Sequence, residues 1–276
     1  THSQISSNIY SAAANLSANE YTEQTIIQSV KLKIAEAYVA VLLYQRQLEV
    51  AASHEQSLSG HADDVQHLYD EGMVPTNDLL AAKVALANAK QTTLQAQNRL
   101  DVASAAYNRY LGRSLEYAFQ LESLPLIFPE TDLTTLMTEA VENRSELAVL
   151  AKQAEALVWQ AKIAKSASGP KIDLKGGFNY QENSHQLYEE VWQVMAEASW
   201  DIFDGNISRN KATALQAKSR AVAERHKDLQ TLIRLQVRQT WLDMDESSKR
   251  IDVAKGTLGQ ADENLRVTRN RYLEGI

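Results

Sequence analysis

His54 and His61 lie seven residues apart on one helical face, with Asp64 a turn further on, which is the nearest this chain comes to metal-ligand spacing. A metal centre needs a third donor at good geometry, and none is spaced to supply it, so both histidines read as solvated or inter-helix side chains. Asp243-Met244-Asp245-Glu246 and the run Arg266 to Arg271 read as charged faces of a long helix. The absence of cysteine excludes disulfides, thiolate chemistry and Cys-based metal sites. No nucleophile elbow, HExxH pair, phosphate loop or dinucleotide fingerprint occurs. The reading is therefore of a non-enzyme with no cofactor. A formal net charge of −7 argues against nucleic acid as a partner.

The remaining chemistry must be placed by long helices. One helical pattern runs from about Ile5 into Tyr69-Asp70-Glu71-Gly72-Met73-Val74-Pro75-Thr76-Asn77-Asp78, and another runs out of it to about Leu111. This stretch is the tip of a hairpin. Gly72 supplies a left-handed stop, Pro75 suits the first turn of the next helix, and Thr76 and Asp78 offer polar groups to its orphan N–H groups. The signal returns at Tyr272-Leu273-Glu274-Gly275-Ile276, offset by 203 positions. Without a gap, that offset pairs Leu32 with Leu235, Ile34 with Val237, Tyr38 with Trp241 and Leu48 with Ile251, and Thr1 with Asp204. The chain reads as an internal duplication whose two ends are cut within repeats.

Four prolines, ten glycines and interiors rich in alanine, glutamine, leucine, lysine and glutamate favour uninterrupted helices. Sixty or more residues without proline predict a rod of about 100 Å, which cannot bury itself. The return helix, Thr76 to Tyr110, is rich in alanine, suiting side-by-side packing of several rods. Gly112 ends it, a connector spans Leu115 to Pro129, and Thr131 or Asp132 caps a short helix to about Glu142. Ser145 with Glu146 opens another to about Ser166, on which Trp159 reads as packed core. No stretch approaches the roughly 18 consecutive apolar residues of a spanning helix, and no signal-peptide pattern opens the chain.

At Ser168-Gly169-Pro170 the period changes to two. Ile172, Leu174, Gly176, Phe178 and Tyr180 alternate with polar residues through Gln181, and Trp192, Val194, Ala196, Ala198, Trp200 and Ile202 do so again, predicting a hairpin of two strands. One face is apolar with aromatic residues near its ends, and the other carries charges of both signs. In a soluble protein the apolar face covers a core, yet no matching helix is evident. The alternative is a membrane β-barrel, with one face to lipid and the other to a wet lumen; two strands cannot close one, so others must come from outside this chain. After Phe203-Asp204-Gly205-Asn206 a second helical run of about 100 Å continues to Tyr272.

In this order of elements the chain resembles the outer-membrane efflux protein family, the TolC-like exit ducts of Gram-negative envelopes. The resemblance covers essentially the whole chain and rests on the paired tips Tyr69-Asp70-Glu71-Gly72 and Tyr272-Leu273-Glu274-Gly275. It rests also on Asn143-Arg144-Ser145-Glu146-Leu147, similar to the family's Arg-Pro-Glu-Leu, and on Trp200-Asp201-Ile202-Phe203-Asp204-Gly205, similar to its Leu-Phe-Asp-Gly. Ser145 departs from the family's proline, and the second return helix, where the family carries its entrance aspartates, lies beyond Ile276. The resemblance implies a mainly α fold of very long antiparallel helical hairpins forming a periplasmic α-barrel, plus strands of a transmembrane β-barrel. It divides the chain into a first hairpin (1–111), a connector with lateral helices (112–167), a barrel hairpin (168–203) and a second long helix (204–276).

By the same resemblance the protein is a homotrimer and a passive duct of a tripartite efflux or type I secretion system. Its partners are a periplasmic adaptor (membrane fusion) protein, an inner-membrane pump and outer-membrane lipid. Asp78 and Tyr272 fall where contacts between hairpins hold the entrance shut, at about 1–3 kcal/mol per charge-assisted bond, with local capping the alternative for Asp78. Gly72, Met73, Val74 and Gly275 form the adaptor-docking tips, Met73 and Val74 as exposed apolar residues. Lys171, Asp173, Lys175, Glu197 and Asp201 line the lumen, while Ile172, Leu174, Phe178, Trp192, Val194 and Trp200 face lipid. A soluble periplasmic coiled-coil scaffold or adaptor is the rival reading.

Overall fold

The structure is a computed structural model that describes residues 2–125, 132–180, 182, 185 and 190–273, with side chains described between residues 4 and 268. Five helices and one strand pair follow in order: α1 (His2–Asp70), α2 (Thr76–Tyr110), α3 (Leu133–Asn143), α4 (Ser145–Ser166), β1 (Lys171–Tyr180), β2 (Glu190–Ser199) and α5 (Ile207–Leu273). The expected long helices are present, α1 with 69 residues and α5 with 67. The chain divides into two compact units, Ile26–Ile127 and Thr1–Thr25 with Phe128–Ile276.

In the first unit, α2 buries Leu79, Ala82, Ala89, Ala96 and Ala103, a line that recurs every seven residues after its first step. A seven-residue recurrence keeps one narrow seam on one side of a helix. Alanine along it lets backbones approach closely, and each buried methyl contributes about 0.8 kcal/mol. At the distal end Ala62 and Val65 of α1 close with Leu79 and Ala82 into a small core. At the other end α2 stops where Gly112 takes φ +68° and the Arg113 amide donates to the Asn108 carbonyl. Asn108 is itself almost fully buried, and its Nδ2 donates to the carbonyls of Leu115 (3.1 Å) and Tyr117 (2.9 Å). The Tyr38 hydroxyl donates to the Glu122 carbonyl at 2.6 Å, and Tyr107 meets Tyr38 and Phe119 edge to face. These bonds satisfy backbone groups of a segment that has no regular structure of its own.

The second unit packs by small residues as well. Ser7, Ser11, Ala14 and Ala18 are buried along the start of α1, Ala156, Ala161 and Ala164 on α4, and Ala212 and Ser219 on α5. The Ser219 hydroxyl donates to the Ala154 carbonyl of α4 at 3.0 Å. Trp159, expected in the core, is half-buried: Tyr10 stacks on it at 4.6 Å, and the Lys162 ammonium lies 3.6 Å from its ring centroid. Asp132, not Thr131, is the residue seen to cap α3, accepting from the Thr134 amide at 3.1 Å and from the Thr134 hydroxyl; Thr131 lies outside the described residues. α4 opens at Ser145, as expected. Arg144 holds the cap position, and Ser145 is the first helical residue, a place where proline is favoured.

Candidate functional site

Two surfaces collect the residues singled out by the sequence, and each is built within one unit. At the hairpin tip, the Gly72 amide donates to Tyr69 and the Met73 amide to Leu68, while Gly72 takes φ +73°. This reciprocal pair closes the last turn of α1 with a left-handed glycine. Met73 is 68% exposed at the apex. Val74, expected to be exposed beside it, is instead half-buried and packs on the core of Ala62, Val65, Leu79 and Ala82. The apex offers Gly72 and Met73, and Val74 anchors it from below.

The expected side-chain capping of α2 does not form. Pro75 is the cap residue, one position before the first turn, and no side chain bonds the free N–H groups. The Thr76 hydroxyl turns to the Tyr69 hydroxyl at 3.5 Å. Asp78 is exposed in the first turn, and its own amide donates to the Pro75 carbonyl. Its carboxylate therefore acts on α2 through the helix dipole. Tyr272 lies in α5 with its side chain outside the described set, and Gly275 lies outside the described residues.

The second surface is the strand pair. β1 and β2 are antiparallel, with Ile172 opposite Ala198, Leu174 opposite Ala196, Gly176 opposite Val194 and Phe178 opposite Trp192. Opposed residues share a face, so these form one apolar surface. It is bare: Leu174 is 77%, Trp192 78% and Val194 80% exposed, and no described residue covers them. The reverse face pairs Lys171 with Ser199 and Asp173 with Glu197, and Lys175 reaches diagonally to bond Glu197. That diagonal cation offsets two carboxylates placed directly opposite one another.

β2 is shorter at its end than the alternation suggested. It stops at Ser199, so Trp200, Asp201 and Ile202 stand beyond the ladder and the pleat does not assign their faces. The Trp200 indole instead donates to the Ser168 carbonyl at 3.0 Å and ties the foot of the hairpin together. Gln181, expected in β1, is outside the described residues. Past the foot, Gly205 and Asn206 both take φ +63°, and the Asp204 carboxylate accepts from the Ser208 amide at 2.9 Å. Hydrogen bonds from Ser208 hold the Asp204 carboxyl below its ordinary pKa. Sequence reasoning passed over Asn108 and Ser219, whose partners lie on other segments; a polar residue in an alanine seam was the available signal.

Among the described residues no group of three or more histidine or acidic side chains is placed to hold a metal ion, and no helix is long and apolar enough to cross a membrane. The sequence profile described as outer membrane efflux protein matches residues 136–276. Alkaline protease secretion protein AprF of Pseudomonas aeruginosa is 23% identical over 280 residues, an alignment covering 96% of this chain and 56% of that protein. A membrane protein from Pseudomonas aeruginosa shares the fold at TM-score 0.82 and 17% identity, over 99% of this chain and 64% of its own. The outer membrane protein VceC from Vibrio cholerae does so at 0.80 and 17%, over 99% and 66%. The chain thus spans between about half and two thirds of these proteins' lengths. The profile match takes in just over half of the chain, and with the long helical hairpin and bare strand pair it identifies the chain as a member of the outer membrane efflux protein family.

Proposed function

We propose that the full-length protein is a passive exit duct of the Gram-negative outer membrane, assembled as a homotrimer and serving a tripartite efflux or type I secretion system. The observation that carries this reading is the bare apolar face of β1 and β2. A sheet of two strands has two unpaired edges, and in lipid these must be closed by strands from elsewhere. A trimeric barrel does so and sets Ile172, Leu174, Phe178, Trp192 and Val194 toward lipid, with Lys171, Asp173, Lys175 and Glu197 toward the lumen. Trp200 stands at the membrane boundary and Asp201 near the lumen mouth.

In this reading residues 1–111 and 204–276 form the periplasmic α-barrel, residues 112–167 girdle it, and residues 168–203 enter the barrel. A periplasmic adaptor docks at the apex formed by Gly72 and Met73, and an inner-membrane pump supplies the energy. Asp78 and Tyr272 contribute to holding the entrance closed until the adaptor binds. Replacing Val194 with arginine in the full-length protein tests the membrane assignment. A cation on the lipid face near mid-membrane costs about 2–4 kcal/mol, so trimers disappear from the outer-membrane fraction. Normal trimers there would count against the duct and favour a soluble scaffold with its sheet covered by protein.

A further inference from the structure

The first half of α5, residues 207–240, carries eight basic residues against two acidic ones, a local charge of +6 in a chain whose formal charge is −7. All eight are exposed. Among the described residues only Lys227 of the eight has a carboxylate partner, Glu224 at 2.8 Å. Another side of this helix is occupied: Ala212, Ser219 and Ile233 are buried, and Ser219 bonds α4. Arg220 and Arg234 each follow a buried position by one residue, which at 3.6 residues per turn rotates them by about 100°. Lys227 lies on the same line midway between them, and Arg209 and Arg238 extend it at either end. The row is about 44 Å long at 1.5 Å per residue.

Like charges aligned on one helix repel, so an uncompensated row costs stability unless an anionic partner accompanies it. The equivalent stretch of the first repeat, residues 4–37, holds three acidic and two basic residues. Further copies of that stretch cannot neutralise the row. A cation-lined wall of low dielectric would concentrate mobile anions beside it.

We propose that this row faces the passage and guides anionic cargo, molecules presenting carboxylate or phosphate groups, through the duct. The inference rests on the duct reading and adds to it the class of what is carried. The test uses full-length protein in planar bilayers under a potassium chloride gradient. Changing Arg209→Gln, Arg220→Gln, Arg234→Gln and Arg238→Gln together lowers the chloride-to-potassium permeability ratio by about twofold or more, whereas lysine at the same four positions keeps it. An unshifted ratio in a conducting glutamine variant overturns the proposal. So does loss of assembly in the glutamine variant, alone or shared with the lysine variant, because the row would then be part of a subunit seam. A wild-type protein that fails to conduct defeats the duct reading itself, an outcome distinct from conduction with an unshifted ratio.

Discussion

Asp78 stands exposed in the first turn of α2 with no side-chain capping bond, which separates its two candidate roles. As a dipole partner alone it contributes roughly 0.3–1 kcal/mol to its helix; as a closing contact it governs conductance. In the proposed duct Asp78→Ala raises single-channel conductance and leaves thermal stability nearly unchanged, and equal conductance would remove the residue from the gate. Asn108→Ala should behave oppositely. It removes the two hydrogen bonds that Asn108 donates to the Leu115 and Tyr117 carbonyls and costs about 2 kcal/mol, read as an earlier denaturation midpoint with unaltered conductance. Asp78 was legible because a carboxylate in a helix's first turn is a local pattern. Asn108 was not, because its partners lie seven and nine residues away in an irregular segment. Val74 was misread for a related reason: sequence shows an apolar residue in a turn, and only packing shows which way it faces.

At the scale of elements, glycine and charge at the joints fix where each rod begins and ends. Gly72 at φ +73° has open space around the position of an added Cβ, so Gly72→Ala meets only the left-handed backbone penalty. That is about 1–2 kcal/mol, measurable as faster amide exchange at the end of α1. Asp204 at the start of α5 has a lowered folded-state pKa. Its contribution is therefore present above the ordinary carboxylate range and lost as pH falls through the folded value. The protection of the Ser208 amide, taken relative to its intrinsic exchange rate at each pH, should fall only in that acid window, and Asp204→Asn should abolish that loss of protection. Helix and strand starts were largely readable, since the helical period of 3.6 residues and the strand period of two are local. The end of β2 was not: Trp200, Asp201 and Ile202 continue the alternation after the ladder stops, and a ladder is decided by its partner strand. The absence of side-chain caps on α2 escaped for the same reason, because Thr76 has an alternative partner in Tyr69.

At the scale of the whole molecule, the chain leaves apolar surface bare in two forms. One is the sheet face. The other lies on the helices, where α2 exposes Leu80, Val84, Leu94 and Val102 although a separate seam already faces α1. Helices apolar on two sides take neighbours on both, which in the proposed trimer are further hairpins closing a tube. The central claim is that this tube conducts across the outer membrane. Single-channel recording of the full-length protein in a planar bilayer tests it most directly. The account predicts a small, stable conductance from trimers extracted in detergent. Absence of any conductance, with protein that remains soluble without detergent, would contradict it.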